Sequence, residues 1–382
     1  MKNSKKGFIV PVLLVIIALL VVGGGVYIYK NKKVEVPAAD NGTQQTNTQT
    51  PPVTTQQNPI NNKPTNVAPS NTKDLIIQET KELVLGVTGS HPKFSPNGTK
   101  ILFESRDKDE GLWTVNIDGS NLENTYKGLL SAVDDYEWSP DGKFVFVVTS
   151  LQTNSRFAGS KDEVINIINI QSKDIKQIFG PATNILYPEW ISNDEIGFIY
   201  ENQTSRENFA IFDINGNKKN YQDNGGPVFF YTSDRGTGAG DQSVIKSVTR
   251  SGVVKEITDV AFTGPVISPD RTKVLYQQYT GPGNLMTMNF DGSQKITVTT
   301  AYGAGDAVWS PSGKMIAYSV EKDNGLAILE WDIYAINADG TGKIKLTNSG
   351  KKFASHPRWS PDGKKLVFDY NETGKIGLLI FK

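Results

Sequence analysis

From residue 75 to the end of the chain, short apolar runs recur at intervals too short for helices. Ile101-Leu102-Phe103, Phe144-Val145-Phe146-Val147-Val148 and Leu366-Val367-Phe368 are β-branched and aromatic, and Gly, Pro, Asn and Asp bound them on both sides. That pattern predicts strands separated by tight turns. Each run follows a related string: HPKFSPNG begins at 91, DYEWSPDG at 135, YPEWISND at 187, GPVISPDR at 264, DAVWSPSG at 306 and HPRWSPDG at 356. The spacings are 44, 52, 77, 42 and 50 residues, and the interval of 77 predicts one degenerate copy near residues 221–262. Seven units result.

Each unit has the same internal order. In Ser-Pro-Asp-Gly, proline presets φ at the second turn position and glycine accepts the positive φ that closes the turn. A strand follows, and then a third strand ending in a second turn: TVNIDGSN, FDINGNKK, TMNFDGSQ and YAINADGT. Asn-Gly and Asp-Gly pairs suit such hairpins. A short fourth strand, such as Lys343 to Thr347, completes the unit. One four-stranded sheet cannot cover both of its faces, so units of this length pack side by side as the blades of an all-β propeller. Seven blades are expected, with six as the alternative. The last unit has three strands, and Lys81 to Val87 is expected to supply its fourth, which would tie the ends of the ring together.

The string x-P-x-W/F-S-P-D/N-G-K-x-[ILV]-x-[FY], followed by an Asp-Gly or Asn-Gly hairpin, resembles the TolB-like propeller repeat. The resemblance covers residues 75 to 382 and departs at three places: Ile191-Ser192 replaces Ser-Pro in blade 3, Arg271 replaces the turn glycine in blade 5, and blade 4 lacks the motif. It implies a β-propeller fold; the N-terminal domain of TolB is not expected here, and the cellular role of TolB is therefore not carried over.

Upstream of the repeats the pattern changes twice. Gly7 to Tyr29 is free of charge, and at ~1.5 Å per residue such a helix can cross a hydrocarbon core of about 30 Å. An uncleaved anchor is expected over residues 1–36. The start, Lys-Lys-Gly-Phe, also resembles a type IV prepilin leader but has Val12 where that leader has glutamate. Residues 37–72 are rich in Thr, Gln, Asn and Pro and almost devoid of large apolar residues, the composition of a disordered tether. The expected organisation is an anchor (1–36), a linker (37–72) and a propeller (73–382). The expected location is a single-pass membrane protein with its propeller outside the cytoplasm.

Composition narrows the chemistry. The absence of cysteine removes disulfides, thiolate metal sites and a cysteine nucleophile. Net charge is zero overall, but six lysines against Glu35 make the first 36 residues basic and leave the propeller acidic. No nucleic-acid partner is expected. No Gly-x-Ser-x-Gly occurs, so no hydrolase nucleophile can be named. The chain is read as a binding scaffold for an envelope protein or peptide and not as an enzyme. The alternatives are a glycan- or metal-binding sensor, or a propeller hydrolase without a recognisable motif.

Candidate binding residues come from two sources. The position three residues before each Trp or Phe should begin the innermost strand at the mouth of the central channel, which selects His91, Asp135, Tyr187, Asp306 and His356. The long, varied loops select Arg156, Phe157, Asp234, Arg235 and Asp241. No cofactor is expected. His91 and His356, the two histidines of the chain, are the candidates for a divalent metal if their side chains converge. The repeated tryptophans are expected to pack between blades.

Overall fold

The computed structural model describes residues 69–105, 107, 110–127, 133–151, 162–201, 207–222, 225–234, 243–261, 264–278, 284–300, 304–323 and 328–382. The chain divides into two compact units, Met1–Asn61 and Asn62–Lys382, and the described residues belong to the second. The Gly7 to Tyr29 run and most of the linker lie outside the described residues. Among the described residues no helix is long and apolar enough to cross a membrane.

Seven antiparallel sheets form the second unit, six with four strands and one with three. The degenerate copy is the three-stranded sheet, made of Pro227–Asp234, Ser243–Thr249 and Val254–Ala261. The architecture is a seven-bladed propeller, and the six-bladed alternative is excluded.

The Ser-Pro-Asp-Gly turn holds each inner strand to the second. In blades 1, 2, 5, 6 and 7 the serine is buried, and its Oγ accepts the backbone N–H five residues on, at 2.9 Å for Lys100, 3.0 Å for Phe144, 2.9 Å for Lys273, 3.1 Å for Met315 and 2.8 Å for Lys365. In blades 1, 2, 6 and 7 the glycine has a positive φ of 67–71°, a conformation that side chains disfavour. A Cβ on Gly98 or Gly142 would sit 3.4 Å from the turn proline of the preceding blade, Pro361 or Pro96. The turns therefore pack against one another around one end of the channel. Arg271 takes the glycine position in blade 5 with φ 55°, and its guanidinium reaches back to donate to the Val228 carbonyl at 2.7 Å.

Seven hydrophobic clusters make the core, one between each neighbouring pair of blades. The inner strands end in Phe94, Trp138, Trp190, Trp309 and Trp359, each packed against the preceding blade, as expected. Two of the indoles donate to an inner-strand carbonyl of that blade: Trp190 to Glu137 at 3.2 Å and Trp309 to Val266 at 3.0 Å.

Blade 4 shows why its motif could not be found. The turn between its last two strands has the hydrogen bonds of the third-to-fourth turns of blades 1, 3, 5 and 6: Thr249 N–H to the Val253 carbonyl and Gly252 N–H to the Thr249 carbonyl, like Asn116 with Ser120 and Gly119 with Asn116 in blade 1. Its first strand, Pro227–Asp234, is therefore a second strand. Lys218–Lys219 closes blade 3, and only seven residues separate it from Pro227. Seven residues cannot hold an inner strand and its turn. Among the described residues the strand that would carry the motif is missing.

The ring closes through blade 7, whose outer strand is Ile77–Leu83, paired antiparallel with Lys375–Phe381. The closing strand lies four residues earlier than the Lys81 to Val87 segment expected. The physical reason is that Leu83 is the buried apolar residue of this edge, whereas Val84 is 92% exposed. Upstream, Thr72 docks on blade 6: its N–H donates to Asn337 Oδ1 at 3.0 Å, and its Oγ1 donates to the Gly342 carbonyl at 2.7 Å.

Replacing Leu83 by Ala removes the apolar contact of the closing strand with Ile376 and Leu378. The expected cost is ~2–4 kcal/mol, read as a lower denaturation midpoint at unchanged slope. Val84→Ala, one residue along, is expected to change stability by less than about 0.5 kcal/mol. Equal effects of the two substitutions would mean that the strand does not carry ring closure.

Candidate functional site at the channel mouth

Four of the five predicted mouth residues share an unusual backbone. His91, Tyr187, Asp306 and His356 have φ of 51°, 53°, 50° and 52°. Each sits where the ladder between the inner and second strands slips: after Ser90, Leu186, Gly305 and Ser355. A bulge of this kind re-aims one side chain out of the sheet. Left-handed backbone at a residue other than glycine costs on the order of 1–3 kcal/mol and persists only where the surroundings enforce it.

In blades 7 and 1 the enforcing groups are carboxylates on the second strand. Asp369 faces Ser355, and Glu104 faces Ser90, across the ladder. Asp369 is fully buried. It accepts from Ser355 Oγ at 2.8 Å and from the backbone N–H of His91 in the next blade at 2.8 Å, and both of its oxygens lie 3.0 Å from His356 Nδ1. Glu104 accepts from Ser90 Oγ at 2.9 Å and lies 3.0 Å from His91 Nδ1. The two blades repeat one device: a serine, a strained histidine and a buried acid behind the ring. From blade 2, the Tyr136 hydroxyl donates to the His91 carbonyl at 2.6 Å. Burial and the charges of Glu104 and its neighbours push the Tyr136 hydroxyl well above its ordinary range, so it stays a donor.

As a result the two imidazoles lie together, with ring centroids 3.8 Å apart and planes tilted by 39°. One ligand atom from each of His91, His356 and Asp369 lies within 4.8 Å of the other two. The hydrogen bonds give the three unequal roles. Asp369 is enclosed and already accepts three donors, which makes it the group behind His356. Asp306 is the exposed carboxylate, its Oδ1 3.8 Å from His356 Nε2. It is held by Ser319 Oγ at 2.9 Å and reached by the His356 N–H at 3.4 Å. With both Nδ1 atoms occupied by carboxylates, Nε2 of each ring is left to face an incoming group. Metal-bound imidazoles are commonly oriented in this way.

The other predicted residues lie elsewhere. Asp135 does not join the histidines. Its carboxylate accepts its neighbour's N–H, from Tyr136 at 2.7 Å, and lies 3.5 Å from Lys93, because Lys93 sits between Asp135 and Glu137. Tyr187 also stays apart. It hydrogen-bonds Thr232 on the second strand of blade 4 and packs its ring on Gly264. Arg156, Phe157, Arg235 and Asp241, and the side chain of Asp234, lie outside the described residues.

Glu104 and Asp369 were not selected from the sequence. The signal was present: in Ile-Leu-Phe-Glu and Leu-Val-Phe-Asp a charge ends a run of three buried apolar residues, in the two blades that begin with His-Pro.

No protein-family model matches the sequence, and no curated protein matches it. Solved structures do. The chain is similar to the β-propeller domain of the Trilobed protease from Pyrococcus furiosus, at 12% identity and TM-score 0.56, over 77% of this chain and 93% of that one. It is similar to an oligogalacturonate lyase from Vibrio parahaemolyticus, at 13% identity and TM-score 0.55, over 80% and 98%. It also aligns with a candidate TolB from Agrobacterium tumefaciens, at 18% identity and TM-score 0.47, over 78% and 91%. In fold, the chain is a seven-bladed β-propeller. At such identities the likeness is one of fold, and the chemistry must be argued from the mouth itself.

Protonation of this cluster gives a test. Burial opposes charge on His356, but the hydrogen bond to Asp369 and the charges of Asp369 and Asp306 outweigh it, and the pKa is raised above the ordinary 6.5. Burial likewise opposes ionisation of Asp369, yet His356, the His91 N–H and Ser355 hold its pKa below the ordinary 3.8. The raised imidazole contributes stability below pH 6.5 that is lost as pH rises through its folded pKa. The lowered carboxylate contributes stability above pH 3.8 that is lost as pH falls through its folded pKa. The pair is therefore worth most between those two limits. An NMR titration should place His356 above 6.5 in the wild type and lower in Asp369→Asn; an unshifted His356 in both proteins would refute the pairing.

Proposed function

We propose that the chain is a membrane-tethered binding propeller whose recognition element is a divalent cation held at the channel mouth. The observation that carries this is the pair of imidazoles 3.8 Å apart, each backed on Nδ1 by a buried carboxylate of its own blade. Nε2 of His91, Nε2 of His356 and the Asp306 carboxylate would be the ligands, and Glu104 and Asp369 would orient the rings. Imidazole with one carboxylate suits zinc and the later first-row ions better than calcium. Electrostatics support the same reading: Glu104, Asp306 and Asp369 bring three carboxylates to two histidines, so a dication relieves a local excess of negative charge.

Three protein ligands leave coordination positions open to a partner. Within this reading the partner is an envelope protein or peptide, consistent with the uncharged run Gly7 to Tyr29 and the polar tether that follows it. A propeller-borne hydrolase or lyase could use the same open positions, and two of the similar solved structures bear such names.

Calorimetric titration of the EDTA-stripped protein with zinc should show one site per chain. His91→Ala and His356→Ala should abolish binding, and Asp369→Asn, which removes only the group behind His356, should weaken it by roughly 10–100-fold. Asp135→Asn should leave it unchanged. A wild type that binds no zinc, or an Asp135→Asn variant as impaired as His356→Ala, would overturn the assignment.

A further inference from the structure

The third position of the inner-strand motif is held by Lys93, Glu137, Glu189, Val266, Val308 and Arg358 in blades 1, 2, 3, 5, 6 and 7. Lys93 is matched by Glu137 at 3.1 Å and is mostly buried there. Arg358 is different. Its neighbours at the same position are Val308 on one side and Lys93 on the other, so the repeat offers it no acid. Among the described residues it has no ion pair, and its one hydrogen bond runs from Nη1 to the carbonyl of Pro357 at 2.9 Å. A half-buried guanidinium with five donors and one backbone acceptor has donors to spare.

Beside it is a cavity of about 340 Å³, lined by Val266, Leu275, Leu285 and Val308 together with Arg358 and Asp306. Gly264, at the mouth position of blade 5, lines it, and the space of its missing side chain is taken by the Tyr187 ring. Gly305, before the strained Asp306, has only Ser319 Oγ near the place of a Cβ, at 3.7 Å. Val266, an apolar side chain, lines this space and is 36% exposed.

We infer that this cavity binds an apolar carboxylate. The hydrocarbon body lies against Val266, Leu275, Leu285 and Val308, the carboxylate takes the free donors of Arg358, and Asp306 can accept from a donor on the ligand. The same chemistry is presented by a free acid with a branched or aromatic body and by the C-terminal residue of a peptide. The inference does not rest on the cation: the acid is expected to bind in EDTA, and His356→Ala, which tests the cation, leaves Arg358 and the valines in place.

The test is calorimetry on the full-length chain in lipid nanodiscs with EDTA present. The probes are N-acetyl-leucine, its neutral isostere N-acetyl-leucinamide, and a heptapeptide ending in Leu with a free or an amidated terminus. The acid should bind at least tenfold more tightly than the amide. Arg358→Met should abolish that preference, and Arg358→Lys, which keeps the charge but not the paired donors, should retain part of it. Should Arg358→Met fail to fold, the acid-to-amide ratio in the wild type and in Arg358→Lys still decides. Tighter binding of the free-terminus peptide than of N-acetyl-leucine would support the site and name a chain terminus as the ligand; the reverse order would support it and name a small acid. Equal binding of acid and amide, or no binding of any acid to the wild type, would overturn the inference.

Discussion

Everything in this molecule depends on the fact that a twisted four-stranded sheet has two apolar faces and cannot cover either by itself. Each blade leans on the next, and the seven clusters between blades are the core. Such a structure is stable only as a closed ring, since an open end would expose one face of a blade and a sheet edge. The pairing of Ile77–Leu83 with Lys375–Phe381 meets that requirement, by joining segments from opposite ends of the domain. The indoles of Trp190 and Trp309 and the stacked Pro and Gly turns then fix how closely consecutive blades approach.

The same closeness produces the site. Inner strands converge on the axis, so equivalent residues of adjacent blades come within contact distance, and two residues 265 positions apart, His91 and His356, become neighbours. A bulge with positive φ at each of them turns the ring toward the mouth. The cost of that backbone is offset by hydrogen bonds that cross the blade boundary, such as His91 N–H to Asp369 and Tyr136 Oη–H to the His91 carbonyl. Strain and function therefore sit on one element, and the rigid ring maintains both.

Departures from the repeat are as informative as the repeat. Where blade 4 shows no inner strand among the described residues, Tyr187 crosses to Thr232 and Gly264. Where blades 5 and 6 place Val266 and Val308 on the channel wall, a cavity opens beside an arginine that the repeat leaves without an acid. An ideal propeller with seven equal blades would have a uniform channel. This one has a polar cluster on blades 6, 7 and 1 and an apolar recess on blades 5 and 6.

The sequence alone determined the architecture, because the features that specify it are local. A Ser-Pro-Asp-Gly turn, an alternating apolar run and an Asp-Gly hairpin act within a few residues of one another, and their spacing counts the blades. It also brought His91 and His356 to notice, since both open a repeat and blade 7 adjoins blade 1. What it could not decide was which polar residues meet at the mouth. Asp135 and Asp306 hold the same repeat position, yet Lys93 draws one away while Ser319 and the His356 N–H hold the other beside the rings. Glu104 and Asp369 read as ordinary strand residues until the ladder sets them opposite Ser90 and Ser355. Those choices depend on pairing across strands and between blades, which local pattern does not encode and only the closed ring supplies.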